Sequence, residues 1–208
     1  MIAVIDYGMG NLRSVEKALQ VAGAKTRIVS APDGLRDCDK IVFPGVGAFG
    51  DAMKELKRRK LVEPIKDSIG RGKPFLGLCL GLQLLFERSA EAPGVKGLAV
   101  LKGDCRKFRF RKGGGKVPHM GWNNIVKREA SDVKRGTILR GVPDNSYMYF
   151  VHSYYVQPED KKTVLTTTDY GIKFTSGICR DNIYGFQFHP EKSQMLGLKI
   201  LVNFVHLK

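Results

Sequence analysis

Cysteine is scarce and scattered. Only four of 208 residues are Cys, at 38, 79, 105 and 179, and no two form a C-x-x-C pair. This excludes a zinc knuckle and a dithiol redox motif, and a chain of this length needs no disulfide staple. No run approaches the roughly 18 consecutive apolar residues of a membrane span, so no membrane partner is expected. The opening Met1-Ile2-Ala3-Val4-Ile5-Asp6 has no basic n-region and no small-residue cleavage site, from which a cytoplasmic location is expected. With 43% hydrophobic and 26% charged residues the chain is not intrinsically disordered, and its length suits one domain, 1–208.

Acidic residues are also in short supply, 20 against 35 Lys and Arg, for a formal net charge of +15. Such a balance raises a nucleic-acid-binding domain as a rival reading. The basic residues are dispersed, however, as in Lys57-Arg58-Arg59-Lys60 and 106–116, with no helix-turn-helix and no aromatic stacking motif, so no nucleic acid is expected as partner. Two glycine-rich segments lack what nucleotide binding requires. After Gly8-Met9-Gly10, Arg13 stands where a dinucleotide fingerprint places its third glycine. Gly113-Gly114-Gly115-Lys116-Val117 lacks the Ser or Thr of a phosphate loop and reads as a basic hairpin tip.

What is present is an alternation of strand-like and helical segments, the pattern of an α/β domain with a parallel sheet. Strands are expected at 2–6, 25–29, 40–43 and 75–78, with helices at 12–22, from 49, at 61–69 and at 80–86. Asn11 is placed to cap the first helix and Gly23 to end it. Beyond Glu91-Ala92-Pro93-Gly94 the style changes to short alternating strands, clearest at 107–110, 147–151, 163–168 and 183–188, and a helix over 196–204 closes the chain.

Gly77-Leu78-Cys79-Leu80-Gly81, between a strand and a helix, is a cysteine version of the nucleophile elbow. The flanking glycines permit a sharp turn without a Cβ clash. A helix N-terminus at Leu80 would favour a thiolate and direct the Leu80 N–H at an oxyanion. The competing reading is a small buried core cysteine. Gln187-Phe188-His189-Pro190-Glu191 ends an apolar strand, and residues two apart in an extended chain share a face, so Glu191 can hold His189 while His189 acts as base and acid for Cys79. The competing reading there is a surface histidine beside a solvated glutamate. A zinc deaminase also uses His-x-Glu, but its Pro-Cys-x-x-Cys is missing.

With Cys79 and His189-Pro190-Glu191 together, the chain resembles the class I, or triad, glutamine amidotransferases. Asp6-Tyr7-Gly8-Met9-Gly10-Asn11-Leu12, Pro44-Gly45-Val46-Gly47-Ala48-Phe49, Pro118-His119-Met120-Gly121-Trp122-Asn123, Phe150-Val151-His152-Ser153-Tyr154 and 185–193 narrow the resemblance to the glutaminase subunits of imidazole glycerol phosphate synthase. The segment 118–123 separates these from glutaminases serving other synthases. Leu78, Leu82 and Phe186 depart from the residues common in the family, and none is a reacting group.

The resemblance implies a flavodoxin-like fold, with a mostly parallel central sheet flanked by helices and additional short antiparallel strands. It implies hydrolysis of L-glutamine by a triad of Cys79, His189 and Glu191, without cofactor or metal. The oxyanion would be held by Leu80 and a peptide of Gly45-Val46-Gly47. Gly47, Gln83, Glu91, Ser153 and Tyr154 would bind the glutamine head group. A (β/α)8 cyclase would be the partner, met through Asn11, Trp122, Tyr149 and Lys192. Trp122 has an alternative place in the core, which its position beside Gly121 and Pro118 fits less well than an interface anchor.

Overall fold

The computed structural model describes residues 1–110, 115–128 and 137–207. In chain order β1 (Ile2–Ile5), α1 (Leu12–Val21), β2 (Thr26–Val29), β3 (Lys40–Phe43), α2 (Phe49–Arg58), α3 (Val62–Gly70) and β4 (Phe75–Leu78) realise the alternation expected of the first half. A four-residue helix α4 (Leu80–Gln83) follows, then β5 (Phe86–Ser89), β6 (Leu101–Lys107), β7 (His119–Lys127), β8 (Ser146–His152), β9 (Tyr154–Pro158), β10 (Val164–Asp169), β11 (Lys173–Arg180), β12 (Ile183–Phe186) and the closing helix α5 (Gln194–Val205). The glycine-rich segment 111–114 lies outside the described residues.

The sheet runs β2-β1-β3-β4-β12-β11-β10-β7-β8, with β5, β6 and β9 paired off this path. From β2 to β12 every neighbour is parallel; β11, β10, β7 and β8 continue it antiparallel. Helices cover both faces of the parallel part, so its strands are buried on both sides. Alternate residues of β1 divide between two cores: Ala3 and Ile5 pack with Met53 and Leu56 of α2 and Ile65 of α3, whereas Ile2 and Val4 pack with Val15 and Leu19 of α1 and Ile200, Leu201 and Phe204 of α5. Each fully buried side chain of this size stabilises the fold by about 1.5–3 kcal/mol. Lys40 fastens α5, its Nζ donating to the carbonyls of Phe204 at 3.2 Å and Val205 at 2.6 Å, groups that a helix C-terminus leaves without intrahelical partners.

Several boundaries differ from the sequence reading. The helix expected over 80–86 stops at Gln83 because the next carbonyls find partners elsewhere: Leu84 accepts from Leu98, Leu85 from Val100 and Leu101, and Phe86 from Ala99. These bonds lead into β5, which pairs with β6. The strand expected over 107–110 is instead β6, ending at Lys107. Asn11 does precede α1, but its side chain makes no capping hydrogen bond. The antiparallel part is also larger than a few short strands, with β7 reaching nine residues.

Candidate active site

At the end of β4, Cys79 turns the chain into α4 with φ +53° and ψ −108°, a conformation that L-residues rarely adopt and that costs on the order of 1–3 kcal/mol. The turn is held by the Cys79 N–H, which donates to the Phe186 carbonyl at 2.7 Å. It also depends on close backbone approach. A Cβ at Gly81 would stand 1.9 Å from the Phe43 oxygen, and one at Gly77 2.7 Å from the Gly81 oxygen. The two glycines therefore serve contact rather than a left-handed φ. A one-turn helix sums few peptide dipoles, so the field expected to favour a thiolate is reduced, and the elbow's contribution is presentation of the sulfur. Cys79 is 6% exposed; Gln187 Nε2 donates to its sulfur at 3.6 Å, and the Val151 carbonyl lies 3.8 Å away.

His189 reaches the same place because β12 lies parallel to β4, with Gly185 opposite Gly77 and Phe186 opposite Leu78. Two adjacent strands thus deliver both residues at their carboxyl ends. Residues 190–192 form a 3₁₀ turn rather than the extended segment expected, and this turn carries the Glu191 carboxylate back to His189, Nδ1 to Oε1 at 2.8 Å with both side chains buried. Glutamate Oε1 accepts, so Nδ1 carries the proton and Nε2 is left for Cys79. Burial disfavours the imidazolium, but the negative charge of the neighbouring Cys79 sulfur and of Glu191 outweighs it, and the His189 pKa is pushed up to about 10. The turn is tied to β8 through Tyr149, whose carbonyl accepts from the His189 N–H, and through Ser193, whose hydroxyl accepts from the Tyr149 N–H at 3.0 Å and donates to the His189 carbonyl at 2.7 Å.

Above Cys79 opens a cleft of about 290 Å³, of a size for an amino acid rather than a nucleotide. Gly47, Gln83, Glu91, Ser153 and Tyr154, the residues expected to bind glutamine, all line it, with Val46, Leu80 and His152. Not all of their polar groups are free. Gln83 Nε2 donates to the Tyr154 carbonyl at 3.0 Å and to Gln187 Oε1 at 3.1 Å, and Glu91 Oε2 accepts from the Phe49 N–H at the start of α2. Burial and the charge of Glu91 raise the Tyr154 pKa. Gly45 lies behind the cleft, and its carbonyl accepts the Leu80 N–H at 3.4 Å. The N–H expected to hold an oxyanion is therefore engaged by the loop expected to share that task. A larger hollow of about 880 Å³, lined by Gly72, Asp181 and Asn182, sits at the amino ends of β4 and β12, away from the Cys79 elbow.

The residues expected at an interface gather on the same edge. Trp122 is 47% exposed and meets Tyr149 edge-on at 6.0 Å, and Lys192 Nζ lies 5.8 Å from the centre of the Tyr149 ring. Trp122 is thus not a core residue. Asn11 stands exposed at the start of α1, the helix that meets the 190–192 turn carrying Lys192. Sequence reasoning passed over Gln187 and the buried pair His119 and His152. His152 Nδ1 donates to the Tyr154 carbonyl at 2.8 Å, so its Nε2 accepts from His119 Nδ1 at 2.9 Å, and His119 Nε2 in turn accepts from Asn123 at 3.3 Å. The one available signal was that 118–123 and 150–154 both carry a histidine.

Among the described residues no helix is long and apolar enough to cross a membrane. The family model for class-I glutamine amidotransferases matches residues 3–207. Imidazole glycerol phosphate synthase subunit HisH of Aquifex aeolicus (strain VF5) is 52% identical over 202 residues, covering 97% of this chain and 94% of that protein. The subunit of the same name from Rhodopirellula baltica (strain DSM 10527 / NCIMB 13988 / SH1) is 48% identical over 204 residues, covering 98% and 96%. A crystal structure of a glutamine amidotransferase superposes over the full length of both chains with a TM-score of 0.75 at 14% identity, a likeness of fold. On the family match and these identities, the chain belongs to the class-I glutamine amidotransferases, within them to the HisH subunits of imidazole glycerol phosphate synthase.

Proposed function

We propose that this glutamine amidotransferase hydrolyses L-glutamine through Cys79, His189 and Glu191 and passes the ammonia to a (β/α)8 cyclase subunit of imidazole glycerol phosphate synthase, in histidine biosynthesis. The observation that carries the reading is convergence: adjoining strands bring a carboxylate-held histidine beside a strained cysteine that lines an amino-acid-sized cleft. The Cys79 sulfur attacks the carboxamide carbon. His189, protonated at neutral pH, gives its proton to the departing ammonia, leaving a glutamyl thioester; it then takes a proton from water, whose oxygen attacks the thioester and releases glutamate and the thiol. Glu191 fixes the imidazole so that Nε2 faces the sulfur. Gly47, Gln83, Glu91, Ser153 and Tyr154 hold the amino-acid end of glutamine, partly through backbone groups.

The oxyanion is held by the Leu80 N–H and by a peptide of Gly45-Val46-Gly47. Each such donor is worth about a hundredfold to a thousandfold in rate. With Leu80 donating to Gly45, the resting chain is short of one of these donors, so low activity alone and activation by the acceptor-loaded partner follow. Asn11, Trp122, Tyr149 and Lys192 meet the cyclase around the ammonia exit, the chain acts as a single domain, and the complex works in the cytoplasm.

Glutamate release by the isolated chain, by the complex and by the complex with the cyclase's ribonucleotide tests the reading. The expected result is a rise of orders of magnitude at the last step, and equal rates would remove the gating. Cys79→Ser should abolish glutamine-dependent synthesis while ammonium salt at alkaline pH still supports the partner. Retained glutamine-dependent turnover would remove Cys79 from the reaction.

A further inference from the structure

Tyr7, at the exit of β1, is fully buried, yet its hydroxyl has no hydrogen-bond partner among the described residues. Its ring is fixed edge-on against Phe43 at 5.4 Å, so the oxygen cannot swing out to solvent. Leaving such a group unpaired costs about 1–3 kcal/mol. A buried orphan of this kind calls for an explanation.

The position of the hydroxyl offers one. It stands against the Cα of Gly45, where a Cβ would lie 2.7 Å from Tyr7 Oη and 2.8 Å from the Gly81 nitrogen. Gly45 is also the residue whose carbonyl occupies the Leu80 N–H, through a bond of 3.4 Å that is long for its type. Freeing the Leu80 N–H for an oxyanion turns the Gly45–Val46 peptide over and leaves the Gly45 carbonyl in need of a donor. In a buried site an unpaired carbonyl opposes that rotation. Tyr7 is the idle donor beside it. Burial, with the negative charge of Cys79 as a second cause, raises the Tyr7 pKa, so the hydroxyl keeps its proton and stays a donor. Tyr7 stands outside the lining of the glutamine cleft, behind the Gly45 backbone.

We propose that Tyr7 is a positioning residue for the glutaminase reaction: its hydroxyl receives the Gly45 carbonyl when the Gly45–Val46 peptide rotates, and so stabilises the form of the loop in which the Leu80 N–H is free. The inference rests on the proposed role of Leu80 as an oxyanion donor.

Tyr7→Phe removes the one oxygen and keeps the ring. In the complex with the cyclase subunit and its ribonucleotide, kcat for glutamate release should fall by about three- to tenfold, the worth of one neutral hydrogen bond, with KM for glutamine unchanged. The melting temperature of the isolated chain should stay the same or rise, because the variant removes an unpaired buried group. A lower kcat accompanied by a lower melting temperature would mean that the hydroxyl is already used in the resting state, and an unchanged kcat that the rotated loop does without it; either overturns the proposal. Absence of glutamate release from the wild-type complex would instead overturn the glutaminase reading beneath it.

Discussion

Every residue of β1, β4 and β12, in the parallel half of the sheet, is buried, whereas in the antiparallel half β8 alternates buried and open positions and β7 buries only His119 and Ile125. The parallel strands have helices on both faces and end in Cys79 and His189, side chains whose placement is decided by backbone contacts closer than a Cβ allows. The β7–β8 pair has one face on the core and one in the open, and the open face presents Met120 at 62%, Trp122 at 47% and Tyr147 at 62% exposure. Chemistry needs fixed geometry, and a surface for a partner needs apolar groups left uncovered. The two halves meet where the Tyr149 backbone bonds the His189–Ser193 turn. Under the proposed function, a partner pressing on Trp122 and Tyr149 acts on the segment that carries His189.

This division of labour predicts that changes in one half alter turnover and changes in the other alter association. The largest effect belongs to His189→Ala, which should reduce kcat for glutamate release in the complex by about a hundredfold or more, with the fold intact by circular dichroism. Ordinary activity in that variant would end the triad reading. Glu191→Gln should be milder, since it removes orientation and one charge, and it sharpens the electrostatics. Because the folded-state pKa of His189 lies above its unfolded value, its protonated form contributes stability that is full below about pH 6.5 and is lost as pH rises through about 10. Without the Glu191 charge that loss should begin at lower pH, which urea titrations from pH 7 to 10 would reveal as an earlier decline.

Trp122→Ala should weaken association with the cyclase by about tenfold or more in a binding titration, while leaving the melting temperature of the isolated chain nearly unchanged because the side chain is half exposed. A large drop in melting temperature with unaltered affinity would return Trp122 to the core and dissolve the contrast between the halves.

The smallest effect is an acid one. Burial lowers the pKa of His119 to about 4 and of His152 to about 3, and the chain from Asn123 to Tyr154 requires both rings neutral. The unfolded state binds protons first, so the stability they contribute is whole above about pH 6.5 and declines as pH falls toward 4. In denaturant titrations from pH 7 to 4.5, His119→Gln should show a lower but flatter stability profile than wild type. A parallel profile would mean that these histidines take no part in the decline.

How legible each half was in the sequence follows from how its contacts are made. β3 and β4 appear at the expected boundaries because continuous apolar runs between glycine and proline punctuation have few other readings. β7 was missed: His-Met-Gly-Trp-Asn-Asn has no clean apolar alternation, and the strand exists because β8 and β10 take its hydrogen bonds. α4 was expected too long for the same reason in reverse, since Leu84, Leu85 and Phe86 are good helix residues whose carbonyls find partners between Leu98 and Leu101.

The sequence by itself determined the nucleophile elbow, the His-x-Glu pair and the parallel α/β core, because those depend on residue type and short spacing: a glycine on each side of Cys79, a carboxylate two residues from a histidine, apolar runs of strand length. Tertiary structure alone decided that Cys79 and His189, 110 residues apart, come to the ends of adjoining strands, that the turn at Pro190 rather than an extended chain returns Glu191 to the imidazole, and that Gly45 occupies the Leu80 N–H while Tyr7 stands idle beside it. Each of these is a hydrogen bond or contact between segments remote in the chain, whose partners are chosen by strand order and burial, quantities that no local pattern of residues encodes.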